Sequence, residues 1–277
     1  MNILPVPATD QVVAQYAAYL ARRLKSSSIR QYLNIIRILH LECQLPNPCE
    51  DSWYLKMTLT GIDKVKGTAV KRKEPMKPEQ LLFLKSKLNF SSPVDCIFWA
   101  ACLIMFFGLL RKSNLFGTDS EGWKEEKHLT RECVRVTNEH DGINVKCRWS
   151  KNNQSGGRVH SFLIQGIADH PLCPVAAVEC MYRAVGQAAP DSQAFPMTGS
   201  AFNKKLRVLF GGSGSVSSHS FRRGGATWAL SCGVPGEIVK MMGDWKSGCY
   251  LMYLDQIPQR VVDKYRSQFS SRLPKEF

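Results

Sequence analysis

Several features that would indicate a metal site, a disulfide framework or a membrane anchor are missing from this sequence. Its ten cysteines are scattered from Cys43 to Cys249, with no C-x-x-C pair and no histidine partner at zinc-finger spacing. This pattern argues against structural zinc and disulfides, and favours free thiols in a reducing compartment. The start of the chain, MNILPVPATDQ, has no basic segment followed by an apolar run, so no secretory signal is read.

The longest apolar run, Cys96 to Leu110, is too short for a membrane span, which needs about 20 residues, and suits a buried helix. No membrane partner is therefore expected. We expect an intracellular protein, nuclear if the source is eukaryotic.

Acidic residues are few relative to basic ones. The chain has 37 Lys and Arg against 23 Asp and Glu, which gives a formal net charge of +14. An excess of this size predicts an anionic partner, most commonly nucleic acid, although a basic surface with no specific role is the alternative. With 277 residues the chain can bury a sizeable core and hold two domains.

The segment 218–255 has the pattern of an oxyanion site. His219 and Arg222 are three apart, and on a helix residues at that spacing share a face and can point at one target. A guanidinium matches two phosphate oxygens, and the ring N–H of His219 or Trp245 adds a single donor. No carboxylate pair or ligand spacing for a metal accompanies them. The pattern therefore indicates a phosphoryl group.

The remaining reactive group in this segment is a phenol. A tyrosine hydroxyl with a pKa near ~10 is a poor nucleophile unless cations crowd it, as Arg222, His219 and Lys246 would. Tyr250 and Tyr253 are three apart and compete for this role. Taken singly, each of these residues is as well explained by packing, so the prediction depends on their ordered combination.

That combination resembles the C-terminal half of the tyrosine recombinase (phage-integrase-like) family. The family signature is H-x-x-R, then a His or Trp after a glycine-containing turn, then the nucleophilic Tyr. The sequence of this turn is most similar to that in recombinases of the DIRS, Ngaro and Crypton mobile elements. The matching residues are His219-Ser220-Phe221-Arg222, Gly243-Asp244-Trp245 and Tyr253.

The resemblance implies further site residues upstream. It implies that Arg111, after the apolar run in a Gly-Leu-Leu-Arg context, is the first catalytic arginine. The acidic residue usual three positions later is replaced by Asn114. A lysine on a β-hairpin protonates the leaving 5′ oxygen in the family, which matches Lys151, with Lys146 as the alternative. Tyr253 is favoured over Tyr250 as the nucleophile by its distance from Trp245.

The expected fold is mainly α with a small antiparallel β-meander, in two domains. Helical patterns at 9–24, 29–39 and 53–65 predict a small helical module, which the resemblance identifies as a core-binding (SAM-like) domain at 1–70. A basic, proline-bearing linker is predicted at 71–78. The rest, 79–277, would be the catalytic domain, with a central helix at 94–110 and strands at 128–137, 142–149 and 158–164.

Clusters of basic residues outside the motif are candidates for contact with DNA phosphates, although a solvated face is the alternative for each. An apolar face in the tail 255–277 is expected to pack on a neighbouring protomer. The candidate DNA-binding residues are Arg22, Arg23, Arg30, Lys71, Arg72, Lys73, Lys204, Lys205 and Arg207.

The resemblance implies a DNA recombinase that cuts and rejoins double-stranded DNA through a 3′-phosphotyrosine, without a metal, ATP or another cofactor. It implies a homotetramer on two synapsed sites. A type IB topoisomerase shares this chemistry, and a host-adopted DNA-binding protein that does not cut, or a generic basic scaffold, are alternatives of another class.

Overall fold

The computed structural model describes residues 6–67, 73–150, 158–212, 214–248 and 250. The chain divides into two compact units, residues 1–72 and 73–277. The expected apolar face of the tail lies outside the described residues. In the described ranges, no helix combines the length and apolar character that crossing a bilayer requires.

The first unit contains three helices, as predicted: α1 (Asp10–Leu20), α2 (Ser26–Glu42) and α3 (Trp53–Lys66). The hydroxyls of Thr9 and Ser52 accept hydrogen bonds from the first turns of α1 and α3, which fixes where these helices begin. Apolar residues at helical spacing form one core cluster, made of Val13, Ala17, Ile29, Leu33, Leu55 and Ile62.

The start of α2 differs from the prediction. The predicted helical pattern begins at Ile29, but the helix begins three residues earlier, with Ser26 in its first turn and Lys25 as the N-cap residue. The Ser26 hydroxyl donates to the Asp63 carboxylate of α3, so it ties two helices together. Tyr32 and Leu39, expected in the core, are exposed because the buried stripe follows Ile29 and Leu33.

The second unit is mainly helical with one small sheet. Its described elements are α4 (Pro78–Ser86), α5 (Pro93–Phe107), α6 (Lys112–Leu115), a 3-10 turn (Arg131–Cys133), β1 (Val134–Val136), β2 (Gly142–Cys147), β3 (His160–Gln165), α7 (Pro174–Val185), α8 (Gly199–Leu209), α9 (Ser218–Ser231) and α10 (Gly236–Met242).

Helix α5 is the centre of this unit. Every residue from Cys96 to Phe106 is buried, because the helix has apolar side chains on all sides and packs against both α7 and α9. A fully buried Phe or Leu contributes roughly 1.5–3 kcal/mol relative to an exposed one, so this helix is a major part of the core. The predicted central helix is confirmed, except that it ends at Phe107 rather than Leu110.

The three strands form the predicted antiparallel meander, in the order β1-β2-β3. Along β2 the residues Ile143, Val145 and Cys147 are buried while Asn144 and Lys146 are exposed, which is the alternation of a half-buried strand. The strands are shorter than predicted, and β1 begins only at Val134 because the three residues before it form the 3-10 turn. The β2–β3 register ends with the pair Cys147 and His160.

Two glycines, Gly224 and Gly225, bring α9 close to its neighbours. A Cβ on Gly225 would lie 1.8 Å from the Phe106 carbonyl oxygen of α5, and one on Gly224 would lie 2.0 Å from the Met76 carbonyl oxygen. Any larger residue would push these backbones apart.

The segment Lys73–Pro78, part of the predicted linker, is packed against α9. The Met76 N–H donates to the Ser220 carbonyl oxygen over 2.9 Å, and the Glu74 N–H donates to that of Ser215 over 3.1 Å. The Met76 side chain is only 1% exposed. This segment therefore belongs to the second unit.

Candidate functional site

Helix α9 carries Arg222 into a buried pocket. The side chain is 2% exposed, and both ends of its guanidinium donate hydrogen bonds to backbone carbonyls. Nη1 donates to the Leu109 oxygen, and Nη2 donates to the Gly243 oxygen over 2.6 Å. Hydrogen bonds from a charged donor are stronger than neutral ones, typically about 1.5–3 kcal/mol each. The guanidinium is therefore fixed by two distant segments of the chain.

Trp245 holds Arg222 from a third side. The guanidinium carbon lies 4.1 Å from the centre of the indole ring, in cation–π contact. The ring is only 7% exposed and packs with Leu109, Leu230 and Val239. The Gly243-Asp244-Trp245 turn thus contributes a carbonyl and an aromatic surface to the same side chain. The spacing of the motif brings Arg222 and Trp245 together in space.

The Leu109 carbonyl reaches Arg222 from an unusual backbone conformation. Leu109 has φ of 51°, in the left-handed region, although it is a buried apolar residue. This conformation costs a non-glycine residue roughly 1–2 kcal/mol. The surrounding packing and the hydrogen bond to Arg222 offset that cost. Residues 108–110 therefore form a connection of defined conformation after α5, and Arg111 follows that connection rather than standing at the end of the helix.

Asn114 fixes the backbone on which Arg111 stands. Its Oδ1 accepts from the Arg111 N–H over 3.0 Å, and its Nδ2 donates to the Trp149 carbonyl oxygen over 3.1 Å. Its side chain is buried, with 5% exposure. An ionised carboxylate has no donor for the second bond. The amide that replaces the usual acidic residue therefore joins the Arg111 segment to the end of the sheet.

His219 lies one turn before Arg222 on α9 and is exposed. Partial desolvation lowers its pKa below the ordinary 6.5, and the charges of Arg222, Arg111 and Arg223 lower it further. The histidine is therefore neutral at pH 7 and has one N–H to donate. The charges of three guanidinium groups therefore act on the ring, and the convergence of Arg111, His219 and Arg222 on one target stays a prediction.

Arg223 was not among the predicted site residues. It is 8% exposed, and its Nη1 donates to the carbonyl oxygen of Lys73. Lys73 in turn donates from Nζ to the Gly214 carbonyl oxygen and remains exposed. The sequence signal for Arg223 is that it directly follows Arg222. A helix turns adjacent side chains to different faces, so Arg223 needs a partner other than that of Arg222.

Several predicted residues lie outside the described part of the chain: Lys71, Arg72, Lys151 and Tyr253. The described alternatives are placed as follows. Lys146 is exposed on β2, and Lys246 is exposed after Trp245. Tyr250 is partly buried and packs with Trp245 in one apolar cluster. Its Cε2 would lie 3.0 Å from a Cβ on Gly236, so its ring is seated against the start of α10.

In the first unit, the three predicted DNA-binding residues are all exposed. Arg22 and Arg23 follow the end of α1. Arg30 forms an ion pair with Asp63 at 2.8 Å while its side chain stays 52% exposed. All three remain candidates for phosphate contact.

In the second unit, α8 does not present its three basic residues as one row. Lys204 and Arg207 are exposed. Lys205 is turned toward α5, where its Nζ lies 2.7 Å from an Asp95 oxygen and 5.7 Å from the centre of the Phe98 ring. Its charge is therefore neutralised within the protein.

No group of three or more His, Cys, Asp or Glu residues suited to a metal ion occurs among the described residues.

The second unit is thus a mainly helical domain with one small sheet, in which the Gly-Asp-Trp turn holds the buried Arg222. Solved structures of DNA recombinases are similar to this chain. The Tn1549 transposon integrase with transposon right end DNA is 14% identical, and the match covers 96% of this chain and 86% of that chain with a TM-score of 0.59. The XerH site-specific recombinase in a post-cleavage complex with palindromic difH is 14% identical, and the match covers 94% of this chain and 72% of that chain with a TM-score of 0.59. A lambda integrase dimer on a COC′ core site is 12% identical, and the match covers 92% of this chain and 83% of that chain with a TM-score of 0.59. This chain has the tyrosine recombinase fold.

No protein-family model matches the sequence, and no curated protein matches it. The tyrosine recombinase fold is therefore identified through structure. The mostly helical architecture and the three-stranded antiparallel sheet agree with it, as expected from the sequence.

Proposed function

We propose that this protein is a tyrosine recombinase that cuts and rejoins double-stranded DNA. The observation that carries the proposal is the buried Arg222, held by Leu109, Gly243 and Trp245, together with His219, on which the charges of Arg222 and Arg111 act. The same arrangement lies in a chain with the fold of recombinases solved on DNA.

In the proposed reaction the Tyr253 hydroxyl attacks a phosphodiester. A bond forms between its oxygen and phosphorus, and the bond from phosphorus to the 5′ oxygen breaks. Lys151 gives a proton to that oxygen, which leaves as a 5′ hydroxyl, while the tyrosine proton passes to solvent or a nearby base. The phosphodiester energy stays in the 3′-phosphotyrosine, so a 5′ hydroxyl of another strand can reverse the step without ATP.

The arginines stabilise the charge that develops on the non-bridging oxygens. Arg111 and Arg222 donate to these oxygens, and His219 adds one N–H from its neutral ring. Trp245 holds the plane of Arg222 through its ring contact and is the second candidate N–H donor. A positioned donor of this kind is worth about 3 kcal/mol of barrier, so its loss slows cleavage on the order of a hundredfold.

Tyr253 is proposed as the nucleophile over Tyr250. The packing of Tyr250 against Gly236 and Trp245 gives it a structural role. The exposed basic residues that follow α1 and those on α2 and α8 are proposed to contact the DNA backbone, in agreement with the net charge of +14. A tetramer on two synapsed sites and a role in mobile-element integration or excision complete the proposal.

The test uses a pool of DNA duplexes, each with one nick and randomised sequence around it, incubated with the protein in EDTA. A nick just beyond the attack site lets the short strand diffuse away and traps the covalent adduct. We expect an adduct that survives denaturation, persists in Tyr250→Phe and disappears in Tyr253→Phe.

An adduct retained by Tyr253→Phe would refute the choice of nucleophile. DNA binding without any adduct would favour the DNA-binding protein that does not cut. Relaxation of supercoiled plasmid by a monomer, without exchange between two sites, would favour the topoisomerase.

A further inference from the structure

Asp244, the middle residue of the Gly-Asp-Trp turn, is held by two residues of the sheet region. Its Oδ2 accepts a hydrogen bond from the Ser150 hydroxyl over 2.7 Å, and its Oδ1 accepts from Arg158 Nη2 over 2.9 Å. Ser150 is 6% exposed, and the Asp244 side chain is 14% exposed. One carboxylate therefore binds two residues that are far apart from it in sequence.

Ser150 and Arg158 are the last described residue before the β2–β3 turn and the first one after it. A further contact lies beside them, since His160 Nε2 is 3.0 Å from the Met242 carbonyl oxygen, close to the Gly-Asp-Trp turn. The base of the β2–β3 hairpin is thus attached to residues 242–244 on both of its strands.

The two residues that flank Asp244 in the chain, Gly243 and Trp245, both touch Arg222. The Gly243 carbonyl accepts from Arg222, and the Trp245 ring stacks on it. Asp244 has φ of 50°, a left-handed conformation that aspartate tolerates better than most residues. Asp244 therefore lies between the pocket of the buried arginine and the base of the hairpin.

The carboxylate also affects the end of β2. Burial raises the pKa of the Cys147 thiol to about 12, and the charges of Cys133 and Asp244 contribute to the rise. Asp244 thus lies near the last residue of the strand, in agreement with its hydrogen bond to Ser150.

We propose that Asp244 is a positioning residue that fixes Ser150 and Arg158, the described residues on either side of the β2–β3 turn, relative to Arg222, and thereby supports the action of the proton donor. The proposal rests on the proposed function, in which that donor is Lys151. Asp244 itself does not touch the reacting phosphate. Its role is to couple general acid catalysis to the arginine pocket.

The two hydrogen bonds are unequal. Arg158 is 67% exposed, and an exposed ion pair contributes little because water screens it. The Ser150 bond joins two side chains that are largely buried, where water weakens a hydrogen bond less. Ser150→Ala should therefore weaken the attachment more than Arg158→Ala.

The test compares two DNA substrates that share a sequence selected from the cleaved pool. One has an ordinary phosphodiester at the attack site, and the other has sulfur in place of the bridging 5′ oxygen. In the second substrate the bond from phosphorus to sulfur breaks and a thiolate leaves without needing a proton. A variant that has only lost its general acid is therefore rescued by sulfur.

Asp244→Ala is compared with Asp169→Ala, a matched control, because Asp169 is an exposed aspartate with φ of 53°. We expect Asp244→Ala to cleave ordinary DNA about 10- to 100-fold more slowly, since a displacement of about 1 Å can cost a hundredfold. On the sulfur substrate it should regain a rate within a few-fold of the unsubstituted protein. Asp169→Ala should match the unsubstituted protein on both.

Equal impairment of Asp244→Ala on both substrates would overturn the proposal, and so would an unchanged rate on ordinary DNA. If Asp244→Ala fails to fold by circular dichroism, Ser150→Ala carries the test with the same expected pattern in weaker form. Failure of the unsubstituted protein to form any adduct would instead overturn the proposed function, and the role of Asp244 with it.

Discussion

Substituting Gly243 by alanine tests the arginine pocket through a single methyl group. Gly243 has φ of −82°, which alanine adopts without strain, so the effect of the change is steric. The added Cβ would lie 1.9 Å from Cζ3 of the Trp245 ring. That ring is packed against Leu109 and Arg222 and has little room to move.

The magnitude follows from the contact distance. Carbon atoms pack at about 3.5–4.0 Å, so the indole ring or the turn must shift by roughly 1.5–2 Å. Overpacking of this kind typically costs about 1–3 kcal/mol of unfolding free energy. The shift also ends the ring contact with Arg222 and displaces its guanidinium. A displacement of about 1 Å at a positioning group can slow a reaction about a hundredfold.

Two measurements check this reasoning. Thermal or urea unfolding should show the loss of stability, and the rate of covalent adduct formation should fall about a hundredfold. Gly61→Ala is the control, because nothing lies within 4 Å of a Cβ there and alanine in the interior of α3 adds about 0.5–1 kcal/mol. A Gly243→Ala protein with the parental stability and cleavage rate would refute the account of the pocket.

Three other predictions follow from described contacts. Asn114→Asp should lower the unfolding free energy by about 1–3 kcal/mol, measured in urea, because a carboxylate cannot donate to the Trp149 carbonyl. His219→Gln, which keeps one N–H, should form adduct faster than His219→Ala. Because the pKa of His219 in the folded protein lies below 6.5, the unfolded chain binds its proton first as the pH falls, so the stability of the parent relative to His219→Gln should decrease from pH 6.5 downward. Gly225→Ala should lower the melting temperature by pushing α9 away from α5.

Elements with strong local signals could be predicted from the sequence. Helix α7 (Pro174–Val185) has such a signal at each end, because Pro174 fits the first turn and Gly186, with φ of 80°, ends the helix. The central position of α5 followed from its apolar composition, which leaves no polar face for solvent. The spacing of His219 and Arg222 likewise predicted that the two residues lie one turn apart on a helix, as they do on α9.

The rest of the site depends on contacts between distant parts of the chain. The carbonyl that meets Arg222 belongs to Leu109, whose left-handed backbone is not encoded by an apolar residue type. Lys204, Lys205 and Arg207 are close together in sequence on α8. The residue that forms an ion pair with Lys205 and turns it inward, Asp95, lies on another helix. Local patterns carry no information on such pairs.

The packing of residues 73–78 on α9 has a practical meaning for anyone who divides this protein. A fragment that begins at residue 79, the predicted domain border, would lack Met76, whose side chain fills the core and whose N–H satisfies the Ser220 carbonyl. It would also lack the carbonyl of Lys73, to which Arg223 donates. Such a truncation would expose the part of α9 that residues 73–78 cover. A fragment that begins at Lys73 would keep this contact.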